Sequence, residues 1–155
     1  MRILIVAVGR ARPGPVRALY EDYVSRLRPA PELIEVEERR PLPVAALKRR
    51  EGELIQAVLA RRPGRRFTVA LDERGRALAS RPFAEALAAW RGQGLDEVAF
   101  LIGGADGLDE PLRETAGLVL SLGTMTWPHL LVRGLLAEQL YRAQQIAAGH
   151  PYHRA

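Results

Sequence analysis

The chain has 155 residues, a length suited to one domain, and its 48% hydrophobic and 26% charged residues support a packed core rather than disorder. It contains no cysteine, which excludes disulfide scaffolds, thiolate zinc clusters and cysteine nucleophiles, and its net charge of +5 favours a polyanionic partner such as nucleic acid. No apolar run approaches the ~20 residues needed to span a bilayer, so a soluble cytoplasmic protein with no membrane association is expected.

Residues 2–8 form a continuous β-rich apolar run, the pattern of a strand buried on both faces. A loop punctuated by Pro13, Gly14 and Pro15 follows, and then Val16, Leu19, Tyr20, Tyr23, Val24 and Leu27 recur at helical spacing. Residues 33–36 read as a second strand, and a helix is predicted from about Val44 to Ala60. Residues 67–71 give a third strand, which the turn signal Asp72-Glu73-Arg74-Gly75 is expected to stop. Ser80 is the expected N-cap of a helix carrying Phe83, Leu87 and Trp90. Residues 97–102 form a fourth strand ended by Gly103-Gly104; a short helix follows Asp109, and residues 118–122 read as a fifth strand. Pro128 suits the first turn of a long final helix, which Gly149 and Pro151 terminate. Strands alternating with helices predict an α/β fold: a mostly parallel sheet with helices on both faces, in a single domain spanning residues 1–155.

In open α/β sheets ligands bind at the carboxyl ends of the strands, and three of those ends are unusual here. They are residues 71–75, the turn Ile102-Gly103-Gly104-Ala105-Asp106-Gly107, and the small-residue loop at 121–129. The glycines fit neither the dinucleotide fingerprint nor a phosphate-binding P-loop, so phosphate-cradling nucleotide enzymes are disfavoured. The 121–129 loop suits main-chain recognition of an adenine edge, with Leu122, Met125 and Trp127 against its face; an ordinary strand-to-helix connection explains the same residues equally well. Glu138 and Arg142 are four apart on the last helix, as are His129 and Arg133, so each pair shares a face. A surface ion pair accounts for the first pair without any catalytic role. All three histidines follow residue 128, but their spacing matches no zinc motif and no metal is expected. The closing His150-Pro151-Tyr152-His153-Arg154 combines groups that stack on bases and grip phosphate, and it is equally suited to packing back on its own domain. The arginine pairs Arg61-Arg62 and Arg65-Arg66 could touch phosphates, but they are read as solvated loop charges.

Taken in order, several of these motifs resemble the RlmH family of SPOUT-class methyltransferases. They are Ala7-Val8-Gly9, Ile102-Gly103-Gly104 with Gly107-Leu108, Met125-Thr126 before Pro128-His129, Arg133, the run Glu138-Gln139-Leu140-Tyr141-Arg142-Ala143, and the closing tail. The resemblance covers the chain from first strand to last residues. It implies a C-terminal trefoil knot, a homodimer, and methylation of N3 of a pseudouridine in large-subunit ribosomal RNA, on the assembled ribosome, with S-adenosylmethionine as donor and no metal. Residue by residue, it places Leu71, Gly103, Gly104, Leu122, Gly123, Thr124, Met125, Thr126 and Trp127 at the donor. Arg142, Glu138, His129 and His153 become the catalytic candidates, with the proton acceptor undecided among His129, His153 and Glu138. Tyr152, His153, Arg154 and Arg133 are assigned to the RNA. Gly123 departs from the serine common in relatives, and Gly134 has no functional explanation. The alternatives are a SPOUT methyltransferase acting on another RNA such as transfer RNA, and a non-catalytic RNA-binding ribosome factor.

Overall fold

The computed structural model describes residues 1–153, the last of them by its backbone alone. In chain order the elements are β1 (Arg2–Val8), α1 (Pro15–Arg26), β2 (Glu32–Val36), α2 (Val44–Ala60), β3 (Arg66–Ala77), α3 (Ser80–Gly92), β4 (Glu97–Ile102), α4 (Glu110–Thr115), β5 (Leu118–Ser121), α5 (His129–Ala147) and a one-turn 3-10 helix (Pro151–His153). The five strands form one sheet in the order β2-β1-β4-β3-β5, and every neighbouring pair is parallel.

Alternate residues of the inner strands feed two cores, as the period-2 geometry of a strand requires. Ile5, Val69 and Phe100 point to the side covered by Tyr20 of α1, Phe83 and Trp90 of α3, and Leu136 and Leu140 of α5. Leu4, Val6, Ala70 and Leu101 point to the other side, under Ile55 of α2 and Leu112 of α4. The connections that step towards β2 carry α1 and α3, and those that step towards β5 carry α2 and α4. A constant right-handed crossover demands this division, because reversing the direction of travel moves the helix to the opposite face. Among the described residues, no helix is long and apolar enough to cross a membrane.

Three local expectations are corrected. The turn signal at 72–75 forms but does not end the strand. The Asp72 carboxylate accepts the Arg74 backbone N–H at 2.9 Å, the chain bulges, and pairing resumes with Arg76 opposite Leu120, the residue that also faces Leu71. Ser80 is not the N-cap: Ala79 holds that position, and the Ser80 hydroxyl donates to Gln139 Oε1 on α5 at 2.8 Å. Arg62 and Arg66 are not solvated loop charges. Both grip Glu97, which is 1% exposed at the amino end of the sheet: Arg62 Nη2 lies 2.8 Å and Arg66 Nε 2.8 Å from its carboxylate oxygens. Their attraction holds the Glu97 carboxyl below the ordinary range although burial alone would raise it.

Gly134 has a packing explanation. A Cβ there would lie 2.9 Å from Leu19 Cδ2, so a larger residue would have to displace that side chain of α1. The cost in helix propensity, ~1 kcal/mol, is offset by that helix contact.

Candidate active site

At the carboxyl ends of β3, β4 and β5 lies a cavity of about 240 Å³. One wall is Leu71 with the bulge after it, the second is the turn at 103–107, and the third is the loop at 122–127. That loop carries the chain from the edge strand β5 to β1, where His129 opens α5 beside Gly9.

Gly103 shapes the turn by close approach. A Cβ on it would stand 2.5 Å from the Gly107 carbonyl carbon, and the Gly107 N–H donates to the Gly104 carbonyl at 3.0 Å. Opposite, Gly123 adopts a φ of +126°, a region that disfavours side chains, and its carbonyl accepts the Ser121 hydroxyl at 2.7 Å. Of the residues assigned to the donor, Leu71, Gly103, Gly104, Leu122, Gly123, Met125, Thr126 and Trp127 all line this cavity, whereas Thr124 is exposed on the same loop without forming its wall. Met125 is 71% and Trp127 40% exposed, so large apolar side chains stand open at the rim. A strap crosses between two walls: the Thr126 hydroxyl donates to Glu73 Oε2 at 2.6 Å. Asp72, beside it, is held by Arg74 and Arg113. These carboxylates lie in the bulge, a strand end that the sequence marks as unusual without assigning a role to its acidic side chains.

The four catalytic candidates do not form one group. His129 lines the cavity, and burial, helped by the Arg133 charge, lowers its pKa from the ordinary value, so the imidazole is neutral at neutral pH. Glu138 is nine residues further along α5, about 13 Å along the axis. There it accepts Arg142 Nε at 2.9 Å and the Tyr152 hydroxyl at 3.3 Å through Oε1, while Gln139 Nε2 donates to Oε2 at 2.7 Å. Tyr152 stands edge-on to Tyr141 at 4.8 Å, with the Arg142 guanidinium 5.1 Å from its ring centroid. Tyr152 thus packs back on α5 and joins the Glu138–Arg142 pair. The side chain of His153, and all of Arg154, lie outside the described residues.

Arg133, expected at the RNA, is 1% exposed. Its Nη1 donates to Glu35 Oε2 at 2.6 Å, and its Nη2 to the Gly9 and Val8 carbonyls at 2.7 and 3.1 Å. Enclosure of this kind makes it a clamp between α5 and the end of β1, with no surface left for a polyanion. Glu35, which also accepts the Ala11 N–H at 2.8 Å, was not singled out from the sequence, because nothing local in residues 32–36 points to a partner 98 positions away. Among the described residues, no cluster of three or more His, Asp or Glu side chains is placed to hold a metal ion.

A family model described as "Predicted SPOUT methyltransferase" matches residues 1–153. The chain belongs to the SPOUT methyltransferase family. It is 57% identical over 155 residues to the ribosomal RNA large subunit methyltransferase H of Rhodospirillum centenum, covering 100% of both chains. The protein of the same name from Paramagnetospirillum magneticum is 56% identical over 154 residues, with 99% of each chain covered. Among solved structures, a probable methylase family protein from Haemophilus influenzae superposes with a TM-score of 0.59 at 11% identity, covering 99% of this chain and 70% of that one, a likeness of fold. In this SPOUT chain the glycine turn, the 122–127 loop and the start of α5 converge on one cavity, and the Glu138–Arg142–Tyr152 group sits further along the same helix.

Proposed function

We propose that this protein methylates large-subunit ribosomal RNA, at N3 of a pseudouridine, with S-adenosylmethionine as donor. The observation that carries the reading is the cavity at the carboxyl ends of β3, β4 and β5. Its main-chain turns can hydrogen-bond an adenine edge, its leucines and rim aromatic offer apolar contact to the ring, and the carboxylates of the bulge suit a cationic donor. The full-length relatives named as ribosomal RNA large subunit methyltransferases support the substrate. The route from the edge strand past the other strand ends to β1 supports the knotted threading that the family resemblance implies. Val16 and Leu19, 38% and 37% exposed on α1 beside α5, support a homodimer through this face.

When bound, S-adenosylmethionine supplies a methyl group already made electrophilic by its sulfonium. What remains for the chain is to align a ring nitrogen, accept its proton and stabilise charge on the ring. Leu71, the turn at 103–107 and the loop at 122–127 hold and orient the donor, with neutral His129 at the far side of its cavity. Arg142, fixed by Glu138, presents positive charge to the acceptor ring. Proton removal falls to a group beside it, Glu138 or the His153 that follows Tyr152. Tyr152 and Arg154 position the RNA.

The test is methyl transfer from labelled S-adenosylmethionine to ribosomes lacking the modification, with free large subunits and transfer RNA alongside and the product nucleoside identified by mass spectrometry. N3-methylpseudouridine from whole ribosomes is the expected result. Label only in transfer RNA would move the substrate, and no label with no donor binding would leave an RNA-binding factor. Methyl transfer undiminished in Arg154→Ala would remove that residue from the RNA site.

A further inference from the structure

Behind the donor cavity lies a second one, of about 280 Å³. The two share Leu120, Leu122 and Gly123, so they adjoin where β5 passes into the 122–127 loop. The far side of the second cavity is the end of β3 and the start of α3, residues 77–80, and its polar groups include Ser80 and Gln139.

Gln139 is held in a defined orientation. Its Nε2 donates to Glu138 Oε2 at 2.7 Å, and because that carboxylate only accepts, the nitrogen of the amide must face it. Its Oε1 accepts the Ser80 hydroxyl at 2.8 Å. Each of these bonds uses half of what the atom offers. One N–H and one carbonyl lone pair remain on this cavity-lining amide. Arg76 and Arg81 are the chain neighbours of the lining residues Ala77 and Ser80; both are exposed, and neither forms an ion pair among the described residues. Such cations suit the phosphates on either side of a base that has entered the cavity.

An adjacent donor and acceptor in a fixed amide are complementary to an adjacent N–H and C=O on a base. In a uridine, N1 of the uracil carries the ribose and offers no hydrogen. In a pseudouridine the ribose is on carbon, so N1–H is free and lies next to the C2 carbonyl. We propose that the second cavity seats the target base and that the Gln139 amide, oriented by Ser80 and Glu138, reads this N1–H and C2 carbonyl pair, making it the residue that distinguishes pseudouridine from uridine. Held by that edge, the ring keeps N3 on the other side of C2 and free of the amide. The inference rests on the methyl-transfer reading above and adds to it the basis of base selection.

The experiment compares methyl transfer to ribosomes carrying pseudouridine with transfer to ribosomes carrying uridine at the target position, for the wild type, Gln139→Leu and Ser80→Ala. Affinity for S-adenosylmethionine is measured in parallel. The wild type should favour pseudouridine at least tenfold. Gln139→Leu should lower the pseudouridine rate by about tenfold to a hundredfold and bring the ratio towards one, with donor affinity retained. Ser80→Ala, which frees the amide to rotate, should move the ratio the same way by a few-fold, and it decides the matter if Gln139→Leu does not fold. An unchanged ratio in both variants overturns the proposal, as does a loss confined to donor affinity, which would give the second cavity to the donor. A wild type that methylates both targets equally overturns base selection alone. One that methylates neither removes the underlying reading and this inference with it.

Discussion

The two ends of the sheet use buried charge for different purposes. At the amino end, Glu97 is gripped by Arg62 and Arg66, Arg62 reaches on to Glu32, and Arg66 donates to the Leu59 carbonyl, so α2 and the starts of β2, β3 and β4 are fastened by two arginines and two carboxylates. At the carboxyl end the buried cation, Arg133, is held through its two Nη atoms by Glu35 and by two backbone carbonyls at the end of β1, while its buried Nε has no partner among the described residues. Everything beyond it is turn and loop around a cavity. A parallel sheet exposes its strand ends at both edges, but here one edge is closed by an ion network and the other by glycine turns that leave room for a ligand. Mutations at the first should therefore be read out as stability, and mutations at the second chiefly as binding.

The largest effect is expected at the closed end. Glu97→Ala leaves the largely enclosed Arg66 guanidinium with no ion partner and Arg62 with Glu32 alone, and should cost ~3–5 kcal/mol in urea unfolding. A loss below ~1 kcal/mol would mean that the amino end is not the fastened one. Next comes Gly103→Ala at the open end. Its Cβ meets the backbone of Gly107, so the turn must open at a cost of ~1–3 kcal/mol, and affinity for S-adenosylmethionine by calorimetry should fall about tenfold or more. Retained affinity would separate the turn from the donor site.

Acidification tests both ends together. Glu97 and Glu35 both have pKa values lowered in the folded chain: burial opposes the shift, but Arg62 and Arg66 outweigh it at Glu97, and the Ala11 N–H and Arg133 do so at Glu35. Their contribution is complete above the ordinary carboxylate value of ~4.3 and is lost as pH falls through the lower folded values. The stability gap between wild type and Glu97→Gln should therefore narrow on titration below about pH 4; a gap constant down to pH 2 would contradict the assignment. The smallest effect belongs to the strap. Thr126→Val removes one exposed hydrogen bond to Glu73, leaving stability within ~0.5 kcal/mol and weakening donor binding by a few-fold, about 1 kcal/mol. Equal donor affinity in this variant would show that the strap does not order the loop.

Much of this molecule is written in short-range pattern. Apolar runs at residues 2–8 and 97–102, helical stripes between them and the Gly103-Gly104 step place the strands and the ends around which the cavity forms, because period and steric freedom are local properties. The motif order from Ala7-Val8-Gly9 to the closing tail carries the family. The tertiary structure decided which charges are free and which are spent. Arg133 and Arg142 read alike as exposed helix cations, yet one is sealed against the end of β1 and the other stays at the surface beside Tyr152. Arg62 and Arg66 resemble loop charges until β4 brings Glu97 to them. Ser80 fits a helix cap until α5 offers it Gln139 across 59 positions of chain. Periodicity fixes which face of an element is apolar, but a polar group's partner depends on where distant elements come to lie, and only the packed fold supplies that.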